Sequence, residues 1–267
     1  MEKITMLGTG SAMVTKCYNT CFTISNEDEY FLVDAGGGNT ILANLEKCNI
    51  PINSIHNIFV SHNHNDHILG VIWVMRIACY QMLKGTYDGN LNIYCHDKSI
   101  EALRAISSYV LQPKFLKLFD DRVIFHSIKD GYKTKILNRE IEFFDIHSTK
   151  ELQHGFKLIL NNKKTLTFLG DEPYRDNINK YCVNVDYLMH EAYCSFLDAD
   201  KFRPYEKHHA TAKDACENAA KVNAKTIIIY HAVDNDLETR KERYVNEGSK
   251  VFKGTIYAPN DLDEIIL

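Results

Sequence analysis

The sequence predicts an α/β fold, a sandwich of two sheets with its chemistry-bearing residues on loops at strand ends. Two observations carry this. The chain reads as two successive halves, each of short apolar strands followed by helices. Several of those strands run straight into a histidine or an aspartate. In addition, the sequence has no low-complexity segment, long linker or short-period repeat, and only five prolines. Nothing marks a domain boundary, so residues 1–267 are expected to form a single domain.

The first half opens with strands at Lys3–Leu7 and Glu29–Val33, the second of them running into Asp34-Ala35-Gly36-Gly37-Gly38. Thr40–Cys48 reads as a helix. Ile55–Val60 is a short apolar run, hence a buried strand, and it feeds directly into Ser61-His62-Asn63-His64-Asn65-Asp66-His67. A helix over Leu69–Leu83, interrupted near Gly85, a strand at Leu91–Tyr94 and a helix over Ser99–Val110 follow. In the second half, Glu140–Ile146 is a near-alternating strand ending at His147. Phe156–Leu160 and Leu166–Leu169 suggest a hairpin around Asn161-Asn162-Lys163-Lys164. Tyr187–Met189 is a short strand, Thr211–Asn223 a helix capped by Thr211, and Thr226–Tyr230 an apolar strand ending at His231.

Composition sets outer limits. With 45% hydrophobic and 25% charged residues, the chain is ordinary for a globular protein. A formal net charge of −4 gives no global basic signature, so a nucleic-acid partner would need a local basic patch. No apolar run approaches a membrane span of roughly 20 residues. The eight cysteines form no CxxC pair, and Glu2 and Lys3 speak against a signal peptide. A reducing, cytoplasmic setting is expected, with the thiols mostly buried as small hydrophobes.

The segment from Ser61 to His67 carries the strongest chemical signal. Three histidines and an aspartate fall within six residues. In an extended turn, alternate positions point the same way, so His62 and His64 can reach one ion, and Asp66 and His67 a second beside it. Imidazole and carboxylate donors suit zinc, with manganese and iron as alternatives. A dinuclear site needs further ligands, and the strand ends offer His147, Asp171 and His231. Asp171 could bridge both ions with its two oxygens. His154 competes with His147, which is preferred because it ends a clear strand.

These residues, together with Leu7-Gly8-Thr9-Gly10-Ser11-Ala12, Leu32-Val33-Asp34-Ala35-Gly36, Leu169-Gly170-Asp171 and His190-Glu191-Ala192, run over nearly the whole length. With them the chain resembles the metallo-β-lactamase superfamily, and within it the RNase Z-like branch. The resemblance implies a four-layer αβ/βα sandwich. It implies one zinc ion on His62, His64, His147 and Asp171, and another on Asp66, His67, Asp171 and His231. His209-Ala210-Thr211 is similar to that branch's His-Ser-Thr element, which implies that His209 faces the scissile phosphate with Glu191 behind it. The implied activity is phosphodiester hydrolysis by a zinc-activated hydroxide, with Asp66 orienting the nucleophile or taking its proton. His209 and Glu191 would stabilise charge or protonate the leaving oxygen.

The chain also departs from the branch. Only 23 residues separate His147 from Asp171, with no Gly/Pro-rich basic arm of the kind that grips tRNA. Lys16 and Asn19 are present near the N-terminus, but Tyr18 stands where an arginine is expected. The expected substrate is therefore a phosphodiester, in a small molecule or RNA, and whole-tRNA binding is not expected. The runner-up is another metallohydrolase chemistry on the same ligands, opening a lactone, thioester or β-lactam. A di-iron oxidoreductase is disfavoured by His64, where such relatives carry glutamate, and a degenerate binding protein by the complete ligand set. No membrane partner is expected, and a homodimer is, because relatives pair.

Overall fold

The computed structural model describes residues 2–267. The chain divides into two compact units of interleaved sequence. The first comprises residues up to Gly8, Tyr18–Lys129 and Asp261–Leu267; the second comprises Thr9–Cys17 and Asp130–Asn260.

The first unit holds a seven-stranded sheet of β1 (Lys3–Gly8), β2 (Cys21–Asn26), β3 (Glu29–Val33), β4 (Ile55–Phe59), β5 (Leu91–Cys95), β6 (Val123–Ser127) and β14 (Glu264–Ile266), in the order β14-β1-β2-β3-β4-β5-β6. It is antiparallel from β14 to β3 and parallel from β3 to β6. Parallel neighbours need crossovers. These are α1 (Thr40–Lys47), α2 (Asn65–Lys84), then α3 (Asp97–Val110) with the short α4 (Pro113–Leu116). Ile41 and Leu45 of α1 and Val71, Met75 and Ala78 of α2 pack on Leu7, Leu32, Ile58 and Ile93 of the sheet. Helix α2 also lies hard against the loop after β3. Gly70 donates its N–H to Gly36 O at 2.8 Å, and a Cβ at Gly70 would stand 1.7 Å from Ala35 O.

The second unit repeats the plan. Strands β7 (Tyr132–Ile136), β8 (Arg139–Asp145), β9 (His154–Ile159) and β10 (Thr165–Phe168) form an antiparallel meander. Then β11 (Tyr187–Glu191), β12 (Thr226–Tyr230) and β13 (Thr255–Tyr257) add in parallel, giving the order β13-β12-β11-β10-β9-β8-β7. Helices α5 (Asn179–Cys182), α6 (Ala199–Phe202), α7 (Ala212–Lys221) and α8 (Leu237–Gly248) complete the unit. Ala215 and Ala219 of α7 and Tyr244 of α8 pack over Leu188, Ile227 and Ile229.

Several expectations are met closely. Strand β3 has the expected bounds, β9 and β10 pair as the expected hairpin, and Thr211 caps α7 in a capping box with Asp214. Helix α2 ends on Gly85, whose φ of +70° suits a glycine cap. Other elements were not foreseen. Strand β2, CFTISN, lies between β1 and β3 and is buried on both faces, although Thr23 and Ser25 alternate with Phe22 and Ile24. Helix α2 begins at Asn65, not Leu69. His64 is its N-cap in extended conformation, and Asp66 and His67 lie in its first turn, so the second half of the motif is helical. The eight cysteines form no disulfide among the described residues, and six are buried. Among the described residues, no helix is long and apolar enough to cross a membrane.

Candidate metal centre

In the first unit, the donors converge on one buried carboxylate. Strand β3 delivers Asp34, which turns through a left-handed φ of +52°. Its Oδ1 accepts the Ser61 backbone N–H at 2.8 Å, and its Oδ2 accepts the Ser61 hydroxyl at 2.7 Å. The same Oδ2 lies 2.8 Å from His67 Nδ1. The single Ser61 proton is thus committed to Asp34, so Ser61 Oγ must accept from His62 Nδ1, 2.9 Å away. Both histidines carry their Nδ1 protons toward this network, which leaves each Nε2 with a lone pair. Fixing the tautomer in this way is what metal-binding imidazoles require.

Those Nε2 atoms face other donors. His62 Nε2 lies 2.9 Å from His64 Nδ1, and His67 Nε2 lies 3.3 Å from Asp66 Oδ2. A lone pair opposite a carboxylate is repulsive unless positive charge sits there. Burial alone would drive a proton off His67, yet Asp66 and Asp34 outweigh it and raise its proton affinity well above the usual imidazole range. The group therefore calls for a cation, and its nitrogen and carboxylate donors fit one of the zinc type.

In the second unit, three strand ends and a loop supply the donors. Tyr230 at the end of β12 donates its hydroxyl to Gly170 O, tying that strand end to the loop after β10. Asp171 follows Gly170, and His231 follows Tyr230 with a left-handed φ of +61°. His231 Nε2 lies 2.9 Å from Asp171 Oδ1, and His209 Nδ1 lies 3.5 Å from the same oxygen. Asp171, His209 and His231 each offer an atom within 4.8 Å of the others. Burial would raise the Asp171 carboxyl, but His231, His209 and Lys150 around it hold it well below the usual carboxylate range. That environment favours its ionised form.

His209 has a second carboxylate behind it. Glu191, the last residue of β11, accepts the Ala210 N–H at 2.5 Å and places Oε2 3.4 Å from His209 Nδ1. The two atoms are buried, and neither makes a well-formed hydrogen bond among the described residues. Tyr193 stacks on the His209 ring with centroids 4.9 Å apart. Burial disfavours charge on this imidazole, but Glu191 and then Asp171 outweigh it and raise its proton affinity.

His147 stands apart from this group. It follows β8 with φ of +54°, its side chain is 53% exposed, and its Nδ1 lies 3.6 Å from Asp145 Oδ2. His154 is the first residue of β9 and is buried. His190 is committed to structure, with Nδ1 2.6 Å from Glu191 O and Nε2 accepting the Tyr174 N–H at 3.0 Å.

The sequence reading passed over Asp34 as a site residue and did not consider Lys150. Asp34 lies in the quoted Leu32–Gly36 segment, so the signal was present. Lys150 Nζ donates to Asp171 O at 2.8 Å and lies 3.2 Å from Asp171 Oδ2, in a loop with no motif around it.

Comparison with known proteins sets the class. The structure is similar to YhfI of Bacillus subtilis, a metallo-beta-lactamase fold protein, with TM-score 0.78 and 18% identity over 99% of this chain and 98% of that one. It is also similar to the short form of human tRNase Z, with TM-score 0.77 and 18% identity over 99% and 98%. Ribonuclease Z of Phocaeicola vulgatus is 25% identical over 318 residues, covering 98% of this chain and 97% of the relative. That alignment is longer than the chain itself, so the relative carries segments that this chain lacks. The expected fold is borne out: the chain has the metallo-β-lactamase fold and is similar in sequence to ribonuclease Z over nearly its whole length. A family model described as Anti-Pycsar protein Apyc1 matches residues 2–250, and the chain belongs to that family.

Proposed function

We propose that the protein is a phosphodiesterase holding two zinc ions, with manganese or iron as alternatives, on His62, His64, Asp66, His67, His147, Asp171 and His231. His147 would have to turn inward to join them, and its left-handed backbone is the kind of strained conformation that clusters at functional sites. When bound, the ions supply positive charge for the phosphoryl group and make a water acidic enough to attack near neutral pH.

The single observation that carries the phosphodiester reading is His209, stacked on Tyr193 with the Glu191 carboxylate behind its Nδ1. Glu191 orients the ring and favours its protonated form. Nε2 is then left to face the substrate and to give a proton to the leaving oxygen. Asp66, in the first turn of α2, orients the attacking water or takes its proton. A single domain over residues 1–267 is part of the proposal. The smaller chain, set against its ribonuclease Z relative, favours a small or exposed phosphodiester over whole tRNA. The six buried cysteines, none in a disulfide, favour a cytoplasmic setting.

The test is a hydrolysis panel with metal added back, comparing bis-p-nitrophenyl phosphate, cyclic nucleotides, precursor tRNA, a lactone and a β-lactam. Cleavage of the small phosphodiesters, with about two zinc ions per chain, is the expected result. Turnover confined to the lactone or β-lactam would replace the proposal with the runner-up. A homodimer is proposed on α2, where Trp73, Tyr80 and Leu83 are 40%, 49% and 49% exposed. They follow Leu69 at spacings of four, seven and three residues, the seam of a helix that packs against another. Light scattering on a Trp73→Glu variant should report a monomer.

A further inference from the structure

Lys150 occupies a position that neither the motif nor the ligand set explains. Its side chain is only 15% exposed, and Asp171 is its sole carboxylate partner within ion-pair distance among the described residues. The ammonium is tethered by the Asp171 backbone carbonyl at 2.8 Å, an anchor that does not depend on the side-chain carboxylate. The carboxylate contact, at 3.2 Å to Oδ2, is the longer one.

The loop that aims Lys150 is clamped. Glu172, buried, accepts the Ser148 hydroxyl at 2.7 Å and the Thr149 N–H at 3.0 Å through Oε1. Its Oε2 accepts from Arg175 at 2.7 Å, and Arg175 also donates to His147 O at 3.2 Å. Ser148 Oγ in turn accepts the Lys150 N–H at 3.0 Å. A long flexible side chain usually loses conformational freedom on burial without return. Here the buried Glu172 carboxylate, paired with a partly exposed Arg175 guanidinium, holds the loop that does it.

We propose that Lys150 is a substrate-contacting cation of the centre, binding a non-bridging oxygen of the phosphoryl group; this rests on the phosphodiesterase reading. The argument is electrostatic. Cations held on Asp171 would compete with the ammonium for Oδ2, while the carbonyl tether would keep the ammonium within reach. An ammonium has three donors, and only one is used by the tether. The protons so released, beside the metal ligand, fit an anion that arrives with its own oxygens, and lysine binds phosphate as a point charge.

The test uses the full-length, zinc-loaded protein and inorganic phosphate as the probe. Phosphate binding is measured by calorimetry and by competition against bis-p-nitrophenyl phosphate. Lys150→Met keeps the stem and removes the charge, and Lys150→Arg keeps the charge. Phosphate affinity should fall about tenfold in the first and stay within about threefold in the second, with zinc content equal to the parent in both. Unchanged phosphate affinity in Lys150→Met would overturn the proposal. So would a parallel loss of zinc, which would make Lys150 a prop for Asp171. If the parent cleaves no phosphodiester yet loses phosphate on Lys150→Met, the phosphodiesterase reading fails and the anion-binding role of Lys150 stands.

Discussion

Asp34 Oδ2 lies 2.8 Å from His67 Nδ1, and both side chains are 1% exposed. The same oxygen takes the Ser61 hydroxyl, so one carboxylate sets the tautomers of two proposed ligands. Asp34→Ala should therefore weaken zinc binding about 10–100-fold, the usual cost of removing a partner behind a ligand. Metal titration with a chromophoric chelator reads this directly. Parent-like affinity would reduce Asp34 to a packing residue.

His209 and Asp66 separate chemistry from metal retention. His209→Ala should lower phosphodiester turnover by about 10²–10⁴-fold, the range of a positioned acid, while zinc content holds. Equal loss of zinc and turnover would instead make His209 a ligand, a role its place near Asp171 and His231 also allows. Asp66→Ala should abolish turnover while the far-ultraviolet circular dichroism stays native.

Gly70 reports on the scaffold beneath the donors. A methyl group there would meet Ala35 O at 1.7 Å, so α2 and the loop after β3 would have to separate. Gly70→Ala should cost about 3 kcal/mol, at the upper end for overpacking. Urea unfolding measures it, and a cost below about 0.5 kcal/mol would show that the helix can shift freely.

Asp186 gives a pH prediction away from the metal ligands. Burial would raise its carboxyl, but Lys225 at 2.7 Å and the Thr165 N–H at 2.8 Å hold it below the ordinary value. The folded state thus binds this proton more weakly than the unfolded chain does. The stabilisation is present above the unfolded pKa of about 4 and is lost as pH falls through the lower folded value. Asp186→Asn should cost about 1 kcal/mol at pH 7, with the gap to the parent closing as the acid range below pH 4 is crossed. A gap that is constant with pH would remove the charge from the explanation.

The sequence revealed the parts of this protein where local pattern and tertiary role coincide. Strand β4 buries Ile55, Ile58 and Phe59, and it delivers the His62–His67 motif as its pattern suggests. The boundary at His64 was hidden because no serine, threonine or aspartate marks the start of α2, and the histidine that caps it makes no side-chain cap bond. Helix α8 was missed because it buries only Arg240, Tyr244 and Gly248, too few apolar residues to show a helical period. Strands β13 and β14 are three residues each and are defined by their partners. Lys150 was invisible for a different reason. Its role depends on a turn held by Glu172 and Arg175, and such long-range polar clamps leave no periodic trace.

Strand β14 pairs Ile265 with Ile4 and Ile266 with Lys3, so β1 at the edge of the first sheet is covered by a segment about 260 residues further along the chain. The second unit is, in effect, inserted into the first as two segments, Thr9–Cys17 and Asp130–Asn260. During synthesis the β1 edge therefore stays bare until Glu264–Ile266 have been made, after all of the second unit. A nonsense mutation or a protease cut just before Asp261 would spare every proposed ligand and still leave a raw strand edge open to aggregation. Recombinant work should place affinity tags with that late stitch in mind.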